Sequence, residues 1–358
     1  LYLINATWHI HRRRFAAGEA QQLVGKLARL AESAPWVFHL LSHLYSSIAY
    51  ALAENKSFLE ESSEEFRTIL RTARQTSHHA LDKDRTKHIA FALKQAAKMV
   101  HHSTFQHNIN ATMRSEIEFF RSMLQPSSGV IWETPIAHLI KRTPFAVTVG
   151  DSCLEGAGGY SIGLAFWWHL SFPKEVVHRT LIHLPNNSDG TLISINVLEF
   201  VTVIINYCAA VHVITTLPPT NDPYPVILNV TDNISASNWT THTCQKSSIG
   251  RLLARFFSFL LMGSPVGINS KWISTDENKI ADDISRIKKQ NDTNSIPSFD
   301  YSSLTQMYPA LKACSFFQIE PELLSLIWEI MLTKKWPELE RVQMLRRRPL
   351  GRLTTSSG

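Results

Sequence analysis

The sequence predicts an α/β protein: one mixed five-stranded sheet with flanking helices, preceded by an all-helical segment. Three observations predict it. Apolar residues recur at three-to-four spacing through the first 142 residues, where no strand-like run interrupts them. Period-two alternation begins just past Pro144, and strand-like and helix-like stretches then succeed one another as far as residue 290. The expected divisions are therefore 1–142, helical; 143–290, the sheet domain; and 291–358, a helical and basic extension or linker.

In the first division, "GEAQQLVGKLARLAE" from Gly18 to Glu32 places Leu23, Leu27 and Leu30 on one stripe. "SSEEFRTILRTARQT", from Ser62 to Thr76, opens with a serine-and-glutamate capping pattern and aligns Phe66, Ile69 and Leu70. A third helix is expected from Ile89 to His101. The pairs His78-His79 and His101-His102 have no carboxylate or cysteine at ligand spacing and read as surface histidines.

The second division starts with "FAVTVGD", which alternates Phe145, Val147 and Val149 with smaller residues as a half-buried strand does. "GGYSIGLAFWW" is expected as a second strand and "RTLIHL", Arg179 to Leu184, as a third, the three forming an antiparallel meander. The apolar stretch Ile193 to Leu217 is long enough for a bilayer. It carries Glu199 and has no flanking Lys or Arg, so it reads as a buried helix and no membrane is expected. "YPVILNVTDN" then reads as a strand, "SSIGRLLARFFSFLLMG" as a helix closed by Gly263, "INSKWIS" as a strand and "DENKIADDISRIKK" as a last helix. Beyond it, one amphipathic helix is expected from Pro321 to Leu332. The cluster Arg346, Arg347 and Arg348 reads either as a phosphate contact or as part of a linker.

Hydrophobic residues make up 44% of the chain, enough for a buried core, so disorder is not the default. A chain that starts at Leu1, with no charged segment before an apolar run, is expected of a fragment or a decayed reading frame rather than a secreted precursor. Cys153, Cys208, Cys244 and Cys314 form no C-x-x-C pair, which argues against a zinc ribbon or disulfide scaffold and for an intracellular, reducing compartment. The net charge of +6 is uneven. Residues 1–142 hold 18 Lys/Arg against 12 Asp/Glu, whereas 143–290 hold 10 against 11. A basic flank beside an acidic centre suits a protein that holds a polyanion and works on it with metal ions; a solvated helical surface explains it equally well.

Four carboxylates stand where a charge needs a reason. Asp151 ends the first strand, Glu199 interrupts an apolar helix, Asp232 ends the strand "VILNVTD" and Asp282 lies in the last helix. A buried carboxylate is costly without a cation, a hydrogen-bond network or a proton. If the first and fourth strands are neighbours and the two helices cross one end of the sheet, all four acids converge. Hard oxygen donors in such a cluster favour Mg2+, with Mn2+ as the other choice. Two ions about 3.5–4 Å apart are suited to phosphodiester hydrolysis.

The order and setting of these residues resemble the ribonuclease H domain that follows reverse transcriptase in retroelement polyproteins. "DSCLEGAGGY" is similar to its first strand and hairpin, "NVLEF" to the helix with the glutamate, "TDNISASNW" to the corner with the third acid, and "NKIADDISR" to the N-x-x-A-D-x-L-S-R ending. "EAQQLVGKL" looks like the connection region before that domain, while no Y-x-D-D sequence of a polymerase occurs. The resemblance implies a ribonuclease H-like fold that cleaves the RNA strand of RNA/DNA hybrids with two Mg2+ ions, as one part of a polyprotein whose polymerase portion is a partner. It implies that Asp151 bridges both ions, that Glu199 and Asp232 bind the ion beside the leaving oxygen, and that Asp282 holds the ion with the attacking water. Asp283 is the other choice for the fourth acid. Ser152 and Asn233, next to these acids, are candidates for nucleic-acid contact or for ordinary turn hydrogen bonds. One departure is the absence of a histidine from "STDENKIA", residues 274–281.

Other readings remain open at this point. Gly156-Ala157-Gly158 suggests a dinucleotide site, but a strand-like run follows where that fingerprint needs a helix. A ribonuclease H-fold nucleic-acid-binding module without activity, and another nuclease or integrase of that fold, also fit.

Overall fold

The computed structural model describes residues 1–77, 83–128, 132, 134–181, 193–218, 222–242, 247–287, 301–345 and 348–354. His78-His79, Cys244, Arg346 and Arg347 lie outside them. The chain divides into two units: residues 1–30 with 41–130, and residues 31–40 with 131–358.

The first unit is built on helices α1 (Tyr2–Thr7), α2 (Ala17–Ala28), α3 (Ser42–Ser62), α4 (Glu64–Ser77), α5 (Lys83–His102) and α6 (Ala111–Met123). Residues Ala20, Leu23, Val24 and Leu27 bury one stripe of α2, as their spacing requires. Buried Glu116 accepts the backbone N–H groups of His43 and Leu44 (3.2 and 2.6 Å), satisfying donors that the start of α3 leaves without helical partners. Contrary to expectation, this unit also contains strands. β1 (Arg14–Ala16) and β2 (Gln106–Asn108) form an antiparallel ladder in which Phe15 faces His107. Three residues are too few to show an alternation pattern, and the partner lies some ninety residues away.

The second unit contains α7 (Ile136–Leu139), β3 (Ala146–Ser152), β4 (Gly156–Ser161), β5 (Phe166–Ser171), α8 (Lys174–Leu181), α9 (Ile195–Thr216), β6 (Val226–Thr231), α10 (Ile234–Thr241), α11 (Ser248–Leu261), β7 (Gly267–Trp272), α12 (Lys279–Ser285), α13 (Tyr301–Met307), β8 (Ser315–Ile319), α14 (Pro321–Thr333), α15 (Leu339–Leu345) and β9 (Gly351–Thr354). It is α/β, with one mixed sheet in the order β7-β6-β3-β4-β5-β8-β9. Strands β3, β4 and β5 form an antiparallel meander; β6 runs parallel to β3, β7 to β6 and β8 to β5.

Three expectations need correction. The sheet has seven strands, not five, because the segment expected to be a helical extension or linker supplies β8 and β9. "GGYSIGLAFWW" is two strands, turned at Ile162 to Ala165, where Ala165 adopts a left-handed φ of 52° and its N–H donates to the Ile162 carbonyl. The third strand of the meander is thus Phe166–Ser171. "RTLIHL" is not that strand: as far as Leu181 it is the end of α8, and its last three residues lie outside the described ones.

Helix α9 has the length and apolarity of a membrane span, yet 83% of its apolar window is buried inside the protein. It packs on β3, β4 and β6 and is the central helix of the sheet core. Cys153, Cys208 and Cys314 are free thiols.

Candidate metal centre

Strands β3 and β6 run parallel and in register from Ala146↔Ile227 to Val149↔Val230, so their C-terminal ends reach the same edge of the sheet. That geometry sets Asp151, near the end of β3, beside Asp232, one residue beyond β6. Glu199 comes from the first turns of α9, which crosses above. Oxygens of Asp151, Glu199 and Asp232 all lie within 4.8 Å of one another.

Donors around the cluster hold two of these carboxylates in place. The Ser285 hydroxyl donates to Asp151 Oδ2 (3.0 Å), and Asn278 Nδ2 lies 3.4 Å from Oδ1 and 3.3 Å from the Gly150 carbonyl. Glu199 accepts the Ser152 N–H (3.3 Å) and the Thr231 hydroxyl (3.4 Å). Asp151 and Glu199 are only 5% and 4% exposed, and their charge is poorly hydrated. Burial first, then the charge of Asp232, pushes the Asp151 carboxyl up to about 7, with the Ser285 hydrogen bond opposing and the charge of Asp282 adding. Burial, followed by the charges of Asp151 and Asp232, raises Glu199 well above the usual carboxylate range, against hydrogen bonding from Ser152.

Asp282 stands outside the group of three. Its Oδ1 accepts from Arg286 Nε and Nη2 (2.9 and 2.6 Å), one turn along α12. Asp283 accepts the Tyr308 hydroxyl at 2.6 Å, so of the two acids it is Asp282 whose charge acts on Asp151. Asn233 caps α10: its Oδ1 accepts the Ala236 N–H and its Nδ2 donates to Asn196. Ser152 is buried and touches Glu199 through its backbone.

Sequence reasoning missed Asn278 and Ser285 as partners of Asp151, although both are letters of the N-x-x-A-D-x-L-S-R pattern. It also missed a buried polar chain beneath the acids. Trp168 Nε1 donates to Asn206 Oδ1 (2.8 Å), Asn206 Nδ2 to Asn229 Oδ1 (3.0 Å), and the Thr148 hydroxyl to the same oxygen (3.2 Å). An asparagine in an apolar helix was the available signal, since a buried amide needs partners.

Three carboxylates this close repel one another and form an all-oxygen donor set that suits a hard divalent cation. Asn278, whose Nδ2 faces Asp151, has its buried Oδ1 without a hydrogen-bond partner among the described residues. Compared with family models, curated proteins and solved structures, the chain has no significant match in any of the three.

Proposed function

We propose that the second unit is a ribonuclease H-like, metal-dependent endonuclease that cleaves the RNA strand of RNA/DNA hybrids within a retroelement polyprotein. The observation that carries this reading is the convergence of Asp151, Glu199 and Asp232 within 4.8 Å, although more than thirty residues separate each from the next along the chain. The meander followed by an acid-bearing helix and two parallel strands supports the fold, and the reduced cysteines support an intracellular setting.

Asp151, Glu199 and Asp232 would hold Mg2+ or Mn2+, with Asp282 completing a second position once it leaves Arg286. Bound there, two such ions supply a water acidic enough to ionise near neutral pH and positive charge for the leaving oxygen. The chain's own residues do the positioning. Ser285 and Asn278 orient the Asp151 carboxylate, and Ser152 and Thr231 orient that of Glu199, so their remaining lone pairs converge. Arg286, whose side chain is 60% exposed beside Asp282, presents its guanidinium to an incoming phosphate. Water adds to phosphorus, the P–O3′ bond breaks, and the products are a 3′-hydroxyl and a 5′-phosphate.

The test is cleavage of a hybrid labelled in its RNA strand, with Mg2+, with Mn2+ and with chelator. Losing a group that only orients a metal ligand costs about 10–100-fold, so Asp151→Asn is expected to lose a hundredfold or more and Ser285→Ala about tenfold. Hybrid binding without cleavage in any metal would favour the inactive binding module. Cleavage unchanged in Asp151→Asn would overturn the assignment of the site.

A further inference from the structure

The helical unit carries a second feature that the acids do not explain. An open groove with a volume of about 590 Å³ is lined by Arg14, Phe58, Leu59, His102, Phe105 and Gln106. Phe58 and Phe105 stack with centroids 4.9 Å apart and planes 26° from parallel, yet stay 43% and 37% exposed. Core packing does not account for two exposed rings held face to face.

The groups beneath them are firmly tied. His107 is buried and meets Phe105 edge-on at 5.0 Å. One ring nitrogen of His107 lies 2.8 Å from Glu54 Oε2 and the other 2.8 Å from Asn55 Oδ1, while Asn55 Nδ2 donates to the Val100 carbonyl (3.0 Å). This network links α3, the end of α5 and β2, the three elements that carry Phe58, His102 and Phe105 respectively or next to it. Arg14 is set beside them by the β1–β2 ladder, opposite Asn108. The walls are therefore organised before any ligand arrives.

The charge balance favours an anionic ligand. Residues 1–30 and 41–130 hold 16 Lys/Arg against 10 Asp/Glu, the whole net excess of the chain, while the remaining residues balance at 20 against 20. A flat apolar platform with a guanidinium beside it, on the basic unit, matches a planar base attached to a phosphate. In a duplex both faces of a base are already stacked, so only an unstacked strand offers one.

We infer that this pocket binds single-stranded nucleic acid, with the Phe58–Phe105 pair stacking one base and Arg14 taking a neighbouring phosphate. The site needs no carboxylate of the second unit and stands whether or not that unit cleaves RNA.

The experiment is fluorescence anisotropy of the full chain with a 5′-labelled oligouridylate, in chelator so that cleavage plays no part, and with an abasic phosphodiester strand of the same length. Wild-type protein is expected to prefer the oligouridylate. Stacking on one aromatic side chain typically accounts for enough affinity that Phe58→Ala should weaken binding roughly tenfold, with Phe58→Tyr retaining it. Arg14→Gln, an exposed change that leaves the core intact, should weaken both strands and lower the slope of log K against log salt by about one. Equal affinity for the abasic strand, or wild-type binding by both Phe58→Ala and Arg14→Gln, would overturn the inference.

Discussion

Asp151 stands at the middle of the acid cluster in the second unit, and its environment makes a prediction about pH. In the folded protein it keeps its proton up to about 7, whereas in the unfolded chain it ionises near the ordinary aspartate value of about 3.9. Between those limits the native state binds more protons than the unfolded one, so stability falls as pH rises and levels off above about 7. Glu199 shifts in the same direction and adds to the loss. In chelator, the thermal midpoint is expected to drop from pH 5 to pH 8. Mg2+ is expected to restore it at pH 8 and to do little at pH 5, where Asp151 already carries its proton. A midpoint that rises with pH in chelator, or one indifferent to Mg2+ at pH 8, would contradict a repelling acid cluster. Asp151, Glu199 and Asp232 were legible as single residues because a charge in an apolar setting is unusual whatever its neighbours. Ser285 was not: a serine on a helix signals nothing until its partner is known.

At the scale of elements, the glycines of β4 are the informative case. In sequence they suggest a flexible turn or a phosphate loop, but none of them adopts a left-handed φ; they are strand residues that let helices approach closely. A Cβ on Gly158 would fall 2.4 Å from Ile284 Cγ2 and 2.9 Å from the Ser285 nitrogen, both on α12, and one on Gly159 would fall 2.3 Å from Asn206 Oδ1 on α9. Gly158 is paired with Asp151 across the ladder, so the contact that seats α12 also seats Ser285 against the acid. Gly158→Ala is expected to destabilise by about 1–3 kcal/mol through overpacking and to weaken Mg2+ binding, because α12 must move outward. Gly163→Ala, which meets nothing within 4 Å, is the control expected to change neither. Urea denaturation and calorimetric Mg2+ titration measure the two effects.

At the scale of the molecule, the sheet extends past the boundary that sequence suggests. Strand β8 pairs with β5, and Phe317 packs on Phe166 and His212. Together with Ile319 and the α14 residues Leu323, Leu326, Ile327, Ile330 and Met331, it buries seven large side chains supplied by the last segment. At about 1.5–3 kcal/mol apiece, their burial is comparable with the whole stability of a domain. A chain ended at residue 290 is therefore expected to aggregate or to melt far below the full chain, with the edge of β5 left bare. Size-exclusion chromatography and circular dichroism decide it; a monomer with an unchanged melting curve would show the last segment to be dispensable.

Local pattern determined much of this protein by itself: the α/β class, the helical start, and the acids whose charge sits among apolar residues. These are readable because side-chain periodicity and the cost of an isolated charge are properties of a short stretch of chain. Tertiary structure alone decided that two further strands join the sheet, that Ser285 and Asn278 meet Asp151, that the glycines seat helices and that Phe58 meets Phe105. Each of those depends on which distant segments come within a few ångströms of one another, and no local spacing encodes such a distance.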